Sequence, residues 1–190
     1  EIVFFDMDGT LTPPRKRFNW TLEPALRDLT QWCEVGIVTG SDYSLLMEQM
    51  GKFLTHSPAA YHIHLLPCNG TKWYKPPPYH DEVFKKTYDI SMEHFLGERV
   101  FQELMKVIVK MQSEISGLDR IKLKGNFIDF RGSTINWCPI GRDANEKQRK
   151  RFVGLDYAFD LRINFMNQMK TRPLFHSKTV IKLGGQTSFD

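Results

Sequence analysis

Residues 2–5 (IVFF) form a short apolar run that is followed at once by the acidic segment 6–12 (DMDGTLT). A continuous apolar run of this length is typical of a strand buried on both faces, as in a parallel sheet. In open α/β sheets, ligands bind beyond the carboxyl ends of such strands. The two carboxylates, Asp6 and Asp8, are therefore predicted to lie in a binding site at the end of the first strand.

The next fifty residues alternate between helical and strand patterns. Apolar residues recur with a helical period in residues 21–34, where Thr21 is the expected N-cap, and again in residues 42–53. Residues 35–38 (VGIV) lie between them as a second short buried strand. Strand, helix, strand and helix in this order predict a doubly wound α/β core.

The pattern changes near three consecutive prolines at 76–78, which cannot lie inside a helix or a central strand. We interpret them as a connecting segment and predict a core domain over residues 1–78 and a second domain over 79–190. The second domain has an α+β pattern, in which two antiparallel strands turn around residues 131–133. Its predicted elements are helices over 91–116 and 145–169 and strands over 126–130, 134–138, 180–183 and 187–189.

Composition limits the classes of partner. No run of about 18 apolar residues occurs, which excludes a membrane-spanning helix. The net charge of +4 suits an anionic small molecule, and the basic residues between 142 and 151 lack the interleaved aromatic side chains of a nucleic-acid groove. The three widely spaced cysteines form no C-x-x-C pair and are expected to be reduced thiols. No third metal ligand occurs at useful spacing from His62 and His64.

Two carboxylates two residues apart can perform both chemical tasks of a phosphoryl transfer. One carboxylate can attack phosphorus as a nucleophile, and the other can donate a proton to the leaving oxygen and later take one from the incoming hydroxyl. Their oxygens are also suitable ligands for Mg²⁺. The alternative is an acidic turn that caps neighbouring backbone amides, but D-x-D-G-T-L-T after an apolar strand favours the chemical role.

Residues 6–12 resemble motif I of the haloacid dehalogenase superfamily of phosphotransferases. The resemblance implies that Asp6 is the nucleophile, that Asp8 is the acid/base and that both hold Mg²⁺. Residues 38–42 (VTGSD) resemble motif II, which implies a hydroxyl group that hydrogen-bonds the phosphoryl group. Ser41 is the expected residue, and Thr39 competes for the role because the family usually has two glycines before the serine.

Further segments narrow the resemblance to the eukaryotic-type phosphomannomutase family. They occur in that family's order along essentially the whole chain and are residues 10–15 (TLTPPR), 127–131 (FIDFR), 139–142 (PIGR) and 184–190 (GGQTSFD). This resemblance implies a Rossmann-like core with an inserted α+β cap domain. It also implies that the substrate is bound by Arg15, Ser41, Arg131, Arg142, Arg149, Ser188 and Asp190.

Arginine suits such binding because its guanidinium group pairs with two phosphate oxygens at once. Arg142 and Arg149 are seven residues apart and can face one side of a helix if that helix starts before residue 142. The alternative is that the basic residues between 142 and 151 form a solvated helix face.

The family resemblance implies an Mg-dependent isomerase that interconverts mannose 6-phosphate and mannose 1-phosphate, through an aspartyl phosphate and a hexose 1,6-bisphosphate activator. It further implies a cytoplasmic enzyme of GDP-mannose biosynthesis that binds hexose phosphates and forms a homodimer through the cap, with no nucleic-acid or membrane partner. Two alternatives stay open: a sugar-phosphate phosphatase of the same superfamily, and a catalytically inactive paralogue that binds sugar phosphates.

Some parts of the family pattern differ in this chain. Residues 68–70 are Cys-Asn-Gly where the family has Glu-Asn-Gly. The motif III lysine and the motif IV acidic residues, which complete the Mg²⁺ shell in the family, do not occur within these 190 residues. The remainder of the core is expected after residue 190, and the alternative is a protein that lacks an intact metal site.

Overall fold

The computed structural model describes residues 1–13, 16–79, 82–116, 121–173 and 179–190. The chain divides into two units, Glu1–Ile90 and Ser91–Asp190, each with its own hydrophobic core. The division lies later than the predicted boundary between residues 78 and 79, because a strand formed by Lys85–Asp89 pairs within the sheet of the first unit.

A five-stranded sheet is the framework of the first unit. The parallel strands β1 (Ile2–Asp6), β2 (Glu34–Val38) and β3 (Ile63–Leu66) are followed by the antiparallel strands β4 (Lys72–Lys75) and β5 (Lys85–Asp89), in the spatial order β1-β2-β3-β4-β5. The carboxyl ends of β1 and β2 are level, since Asp6 is paired with Val38. The predicted α/β fold is confirmed, and both motif segments follow strands at the same edge of the sheet.

Helix α1 (Glu23–Leu29) crosses from β1 to β2 and is shorter than predicted. It follows a 3-10 turn, Trp20–Leu22, that is capped by Asn19, whose side chain accepts from the N–H of Thr21 at 3.2 Å. The prediction of Thr21 as the N-cap is therefore wrong by two residues, because the chain enters the 3-10 turn before the α-helix begins.

Helix α2 (Tyr43–His56) lies between β2 and β3. Its N-cap is Asp42, whose carboxylate accepts from the N–H of Leu45 at 2.9 Å, and a 3-10 helix, Pro58–His62, leads on into β3. The buried face of α2 and the parallel strands supply most of the core of the first unit. The fully buried side chains of this core include Met7, Val35, Ile37, Leu46, Met50, Phe53, Ile63 and Leu65.

β1 is less buried than its apolar sequence predicts. Ile2, Val3 and Phe4 are 42%, 38% and 55% exposed. Within the part of the chain that the structure describes, β1 pairs only with β2 and so forms an edge of the sheet. The prediction that residues 2–5 are buried on both faces is therefore wrong for these side chains.

A four-stranded antiparallel sheet is the framework of the second unit. Its strands are β6 (Ile128–Phe130), β7 (Ile135–Trp137), β8 (Leu183–Gly184) and β9 (Ser188–Phe189), in the spatial order β6-β7-β9-β8. The predicted hairpin around residues 131–133 is confirmed by the antiparallel pairing of β6 with β7.

Each of the two long helices predicted in this unit is divided. The first consists of α3 (Met92–Leu96) and α4 (Glu98–Ser116), separated by Gly97 at a φ of 80°. The second consists of α5 (Glu146–Phe159) and α6 (Leu161–Lys170), separated by Asp160 at a φ of 50°. A positive φ interrupts a right-handed helix. Among the described residues, no helix is long and apolar enough to cross a membrane.

Candidate active site

Asp6 is the last residue of β1, and Asp8 lies in the tight loop that follows the strand. The carbonyl of Met7 accepts from the N–H of Thr12 at 2.9 Å, and the Met7 side chain is fully buried. On either side of it, Asp6 is exposed and Asp8 is partly exposed. The apolar residue in the middle of D-x-D therefore anchors the loop, while the two carboxylates lie at the surface of the sheet edge.

Gly9 closes this loop. Its φ of 90° is one that glycine adopts readily and other residues rarely, and its N–H donates to the carbonyl of Thr12 at 2.7 Å. A side chain at this position would strain the turn that places Asp8.

The motif II segment follows β2 at the same edge. The Thr39 hydroxyl oxygen accepts from the N–H of Ser41 at 3.1 Å, and Thr39 is only 2% exposed. The Ser41 hydroxyl forms no hydrogen bond with any residue that the structure describes, and Ser41 is 9% exposed. Of the two residues that compete for the phosphoryl contact, Ser41 is therefore the one whose hydroxyl is available to a ligand.

The carboxylates of this edge fit Mg²⁺ as a partly hydrated ion. Asp6 and Asp8 supply the oxygen ligands that a hard cation prefers. In the ranges that the structure describes, no group of three or more His, Cys, Asp or Glu side chains could hold a metal ion. Two carboxylates match an ion that keeps several water ligands and contacts substrate phosphate, rather than an ion held by a complete protein cage.

Two of the predicted arginines in the second unit share one carboxylate. Oδ2 of Asp129 lies 3.0 Å from Nε of Arg131 and 3.0 Å from Nη1 of Arg142. The side chain of Arg131 is 7% exposed and that of Arg142 is 24% exposed. The shared carboxylate offsets the repulsion between the two guanidinium groups and fixes their orientation.

An asparagine extends this cluster to the end of the sheet. Oδ1 of Asn136 accepts from Nη1 of Arg142 at 2.8 Å, and Nδ2 of Asn136 donates to Oδ1 of Asp190 at 2.7 Å. Asn136 is only 6% exposed, so its amide depends on these partners. Residues from β6, β7 and the position after β9 therefore belong to one polar network.

Arg149 joins the same network from α5 without a carboxylate partner. Its guanidinium group donates to the carbonyl of Arg142 at 2.6 Å, to the carbonyl of Ala144 at 2.9 Å and to the hydroxyl of Thr187 at 3.0 Å. All three acceptors are uncharged, and no carboxylate among the described residues forms an ion pair with Arg149. Its positive charge is therefore available to an anionic ligand.

The other basic residues of α5 have different surroundings. Lys147, Lys150 and Arg151 are exposed, and Lys150 pairs with Glu146 at 2.8 Å. The alternative of a solvated basic helix face therefore describes these three residues and not Arg149.

Ser188 and Asp190 meet at a glycine. The hydroxyl of Ser188 donates to the carbonyl of Gly184 at 2.6 Å. A β-carbon at Gly184 would overlap the carboxylate of Asp190 and would lie 3.0 Å from the Ser188 hydroxyl oxygen. The absence of a side chain at residue 184 thus lets both predicted binding residues pack against the backbone of β8.

The structure brings Arg131, Arg142, Arg149 and Asp190 together, whereas Arg15 lies outside the described residues. That these side chains bind substrate stays a prediction. Sequence reasoning missed three members of the network, Asp129, Asn136 and Thr187. A signal for Asn136 was present, because an amide between Ile135 and Trp137 in a buried strand needs hydrogen-bond partners.

Comparisons with known proteins agree with the motifs. A family model described as eukaryotic phosphomannomutase matches residues 22–190. The phosphomannomutase of Dendrobium officinale is 32% identical over 189 residues, which are 100% of this chain and 69% of that protein. The phosphomannomutase of Saccharomyces cerevisiae is also 32% identical over 189 residues, which are 100% of this chain and 68% of that protein.

A solved structure supports the fold. The IMP-nucleotidase of Plasmodium falciparum superposes with a TM-score of 0.65 at 13% sequence identity. The match covers 100% of this chain and 51% of that one, so this chain spans about half of the length of the solved protein. At this level of identity the likeness concerns the fold alone.

Proposed function

The chain belongs to the eukaryotic phosphomannomutase family, and on that premise we propose that the complete protein interconverts mannose 6-phosphate and mannose 1-phosphate. One observation supports the proposal above all: the chain carries both an acidic strand-end pair and an arginine network in which Arg149 forms no ion pair with any carboxylate of the described residues. A hexose bisphosphate has two phosphate groups. We propose that one reacts at the acidic pair and that the arginine network binds the other.

In the proposed reaction, Asp6 attacks the phosphorus of one phosphate group of a hexose 1,6-bisphosphate. The P–O bond to the sugar breaks, Asp8 donates a proton to the leaving sugar oxygen, and an aspartyl phosphate remains on Asp6. After transfer of the 1-phosphate, mannose 6-phosphate leaves, and a molecule of mannose 1-phosphate then presents its free 6-hydroxyl group to the phosphorylated Asp6. Asp8 takes the proton of that hydroxyl as it attacks phosphorus, which regenerates the free Asp6 carboxylate and a bisphosphate.

The electrostatic part of the proposal concerns the negative charge on the transferring group. The Ser41 hydroxyl would donate to a phosphoryl oxygen, where charge accumulates in the transition state. Asp6 and Asp8 would hold Mg²⁺, which would supply further neutralisation of phosphate charge. Ser41 is preferred over Thr39 because the Thr39 hydroxyl oxygen already accepts the N–H of Ser41.

The second unit would bind the phosphate that is not reacting. Among the described residues, its network contains the guanidinium groups of Arg131, Arg142 and Arg149 and the carboxylates of Asp129 and Asp190, and none of these carboxylates forms an ion pair with Arg149. Arg149 is the natural first contact for a phosphate dianion. Asp190 and Ser188 would accept from sugar hydroxyls, and Arg15 would contact the substrate from the first unit.

We further propose a cytoplasmic enzyme of GDP-mannose biosynthesis that forms a homodimer through the second unit. The three cysteines are free, as expected for a reducing compartment. Exposed apolar side chains in the second unit, among them Phe95 and Phe130, offer surface for self-association. Sedimentation equilibrium of the complete protein, with Phe95→Ser as the variant, tests the dimer.

A single assay separates the three functional alternatives. The complete protein is incubated with Mg²⁺, mannose 1-phosphate and a catalytic amount of hexose 1,6-bisphosphate, and mannose 6-phosphate and inorganic phosphate are measured together. A mutase forms many molecules of mannose 6-phosphate for each phosphate released. A phosphatase releases phosphate in proportion to substrate lost, and an inactive paralogue binds the sugar phosphates but changes neither quantity.

A further inference from the structure

Gln49 is a polar residue on the buried face of α2. It is 5% exposed, and its helix neighbours Leu46, Met50 and Phe53 are fully buried in the apolar core. Burying a side-chain amide without hydrogen-bond partners is strongly destabilising. The partners of this amide therefore explain why a glutamine is tolerated at a core position.

The side chain of Gln49 contacts the acidic loop. Its Nε2 lies 3.2 Å from Oδ1 of Asp8, 2.9 Å from the carbonyl oxygen of Lys16 and 3.1 Å from Oγ1 of Thr12. A carboxylate and a carbonyl only accept hydrogen bonds, so the amide atom that faces them must be the nitrogen. The two N–H groups of the Gln49 side chain therefore have three acceptors within hydrogen-bond distance. The Asp8 carboxylate is the charged acceptor among them.

The surrounding bonds hold this arrangement in place. The hydroxyl of Thr12, which is 2% exposed, donates to the carbonyl of Met7 at 3.2 Å and can therefore accept from Gln49. The carbonyl of Gln49 itself accepts from the N–H of Phe18 at 2.9 Å. Gln49 therefore connects α2 to Asp8 and Thr12 through its side chain, and to Phe18 through its main-chain carbonyl.

We propose that Gln49 is a positioning residue, which holds the carboxylate of Asp8 in the orientation needed for proton transfer by donating an N–H to its Oδ1. The inference rests on the proposed function, which assigns the acid/base role to Asp8. An amide suits this task because it donates a hydrogen bond but does not exchange protons with Asp8 at neutral pH, as a glutamate or histidine could.

The kinetic test uses the complete protein with Gln49→Met, which keeps the length of the side chain and removes the donor. A misplaced catalytic group costs up to about a hundredfold in rate. We expect kcat to fall by about tenfold to a hundredfold with KM changed less than about twofold, because binding groups are untouched. Met50→Leu is the matched control, since it changes the adjacent fully buried side chain and should keep kcat within about twofold.

A wild-type kcat in Gln49→Met would overturn the proposal. Equal losses of kcat in Gln49→Met and Met50→Leu would also overturn it, because the effect would then reflect core packing alone. Circular dichroism and a urea unfolding curve accompany both variants.

A second measurement does not depend on activity or on the folding of Gln49→Met. In complete protein labelled with ¹⁵N-glutamine, the side-chain amide protons of Gln49 should exchange slowly with solvent. Asp8→Ala removes one acceptor and should speed that exchange several-fold, whereas Asp28→Ala, at an exposed carboxylate of α1, should not. An exchange rate that is unchanged in Asp8→Ala would contradict the contact. If the protein lacked all mutase and phosphatase activity, the proposed function would fail while this measurement still decided the contact.

Discussion

Asn136 donates its side-chain amide to the carboxylate of Asp190, with 2.7 Å between Nδ2 and Oδ1, and this bond joins residues that are 54 positions apart in the sequence. The carbonyl oxygen of the same amide accepts from Arg142. One buried amide therefore holds a carboxylate on its donor side and a guanidinium group on its acceptor side. The two charged side chains are therefore connected through one amide.

We predict that Asn136→Asp destabilises the protein. The new carboxylate would face the carboxylate of Asp190 in place of a donor, and a buried hydrogen bond to a charged group would be lost. The expected decrease in the free energy of unfolding is about 1–3 kcal/mol, measured by urea denaturation at neutral pH. Asn167→Asp, at an exposed amide on α6, is the matched control and should change it by less than about 0.5 kcal/mol.

We predict that Asp6→Asn abolishes phosphoryl transfer and leaves the fold intact. The amide keeps the volume of the side chain but cannot attack phosphorus, so the rate should fall by several decades, on the order of 10⁴-fold or more. Rapid-quench detection of phosphorylated protein and a circular dichroism spectrum are the measurements. Asp28→Asn, at an exposed position on α1, is the control. Substantial turnover in folded Asp6→Asn protein would remove Asp6 from the nucleophile role.

The sequence predicted best those elements whose signals lie within a few consecutive residues. The strands on both sides of α1 and the position of Asp6 at a strand end follow from short apolar runs and a motif directly after the first of them. The burial of β1 was predicted wrongly, because an apolar run does not show whether a strand has neighbours on both sides.

Local signals were insufficient in the second unit. An apolar period continues through Gly97 and Asp160, although the backbone at both residues has a positive φ and ends the helix. A period in hydrophobicity records which face is buried and does not record the backbone angle of a single residue. The helices were therefore predicted too long.

The polar network shows a second limit. Arg131, Arg142 and Arg149 were found through family motifs, but Asn136 and Asp129, which fix them, were not. Their roles depend on partners that become neighbours only after the hairpin and the last strand have paired. The same limit applies to Gln49, whose contact with Asp8 needs α2 to pack beside the acidic loop.

The partly buried histidine of β3, His64, should make stability depend on pH. Burial lowers the pKa of His64 from 6.5, with Glu34 opposing the shift and Lys75 adding to it. The indole N–H of Trp73 donates to Nδ1 of His64 at 3.0 Å, so that nitrogen carries no proton in the folded state and Nε2 faces Oε2 of Glu34 at 3.5 Å.

The direction of this pH dependence follows from the coupling between proton binding and folding. Below about pH 6.5 the unfolded chain binds a proton at this residue, while the folded chain resists it until a lower pH. The contribution of His64 to the free energy of unfolding is therefore fully present above pH 6.5, and it is lost as the pH falls toward the lowered pKa of folded His64. The slope is at most about 1.4 kcal/mol per pH unit for one proton.

Urea denaturation at pH 8.0, 6.5 and 5.5 measures this effect. His64→Gln does not titrate in this range, and its free energy of unfolding should decrease less between pH 8.0 and 5.5 than that of the wild type. His62→Gln, at a half-exposed imidazole 3.2 Å from the same Glu34, is the comparison variant for loss of an imidazole beside this carboxylate. If the free energy of unfolding decreased equally with falling pH in His64→Gln and in the wild type, groups other than His64 would cause the loss of stability in acid.

The arginines of the second unit should matter most for substrates that carry a second phosphate. If Arg131, Arg142 and Arg149 bind the phosphate remote from the chemistry, each change to alanine should weaken the use of hexose bisphosphate more than the hydrolysis of a compact aryl phosphate. A charge-assisted hydrogen bond contributes roughly 1.5–3 kcal/mol, so kcat/KM for the bisphosphate should fall by about tenfold to a hundredfold. The aryl phosphate has no second phosphate and should change by less than about threefold.

Arg151→Ala is the matched control for Arg149→Ala. Both residues lie on α5 and both changes remove one positive charge, but Arg151 is exposed and Arg149 is held by three hydrogen bonds. A loss that depends on net charge alone would be equal in the two variants and would disappear at high salt. Loss confined to Arg149→Ala and to the bisphosphate supports a phosphate clamp, because only a positioned guanidinium group distinguishes the two substrates. Equal loss of both substrates would instead assign the arginine to the stability of the second unit, and the preference for a mutase over a phosphatase would lose its main support.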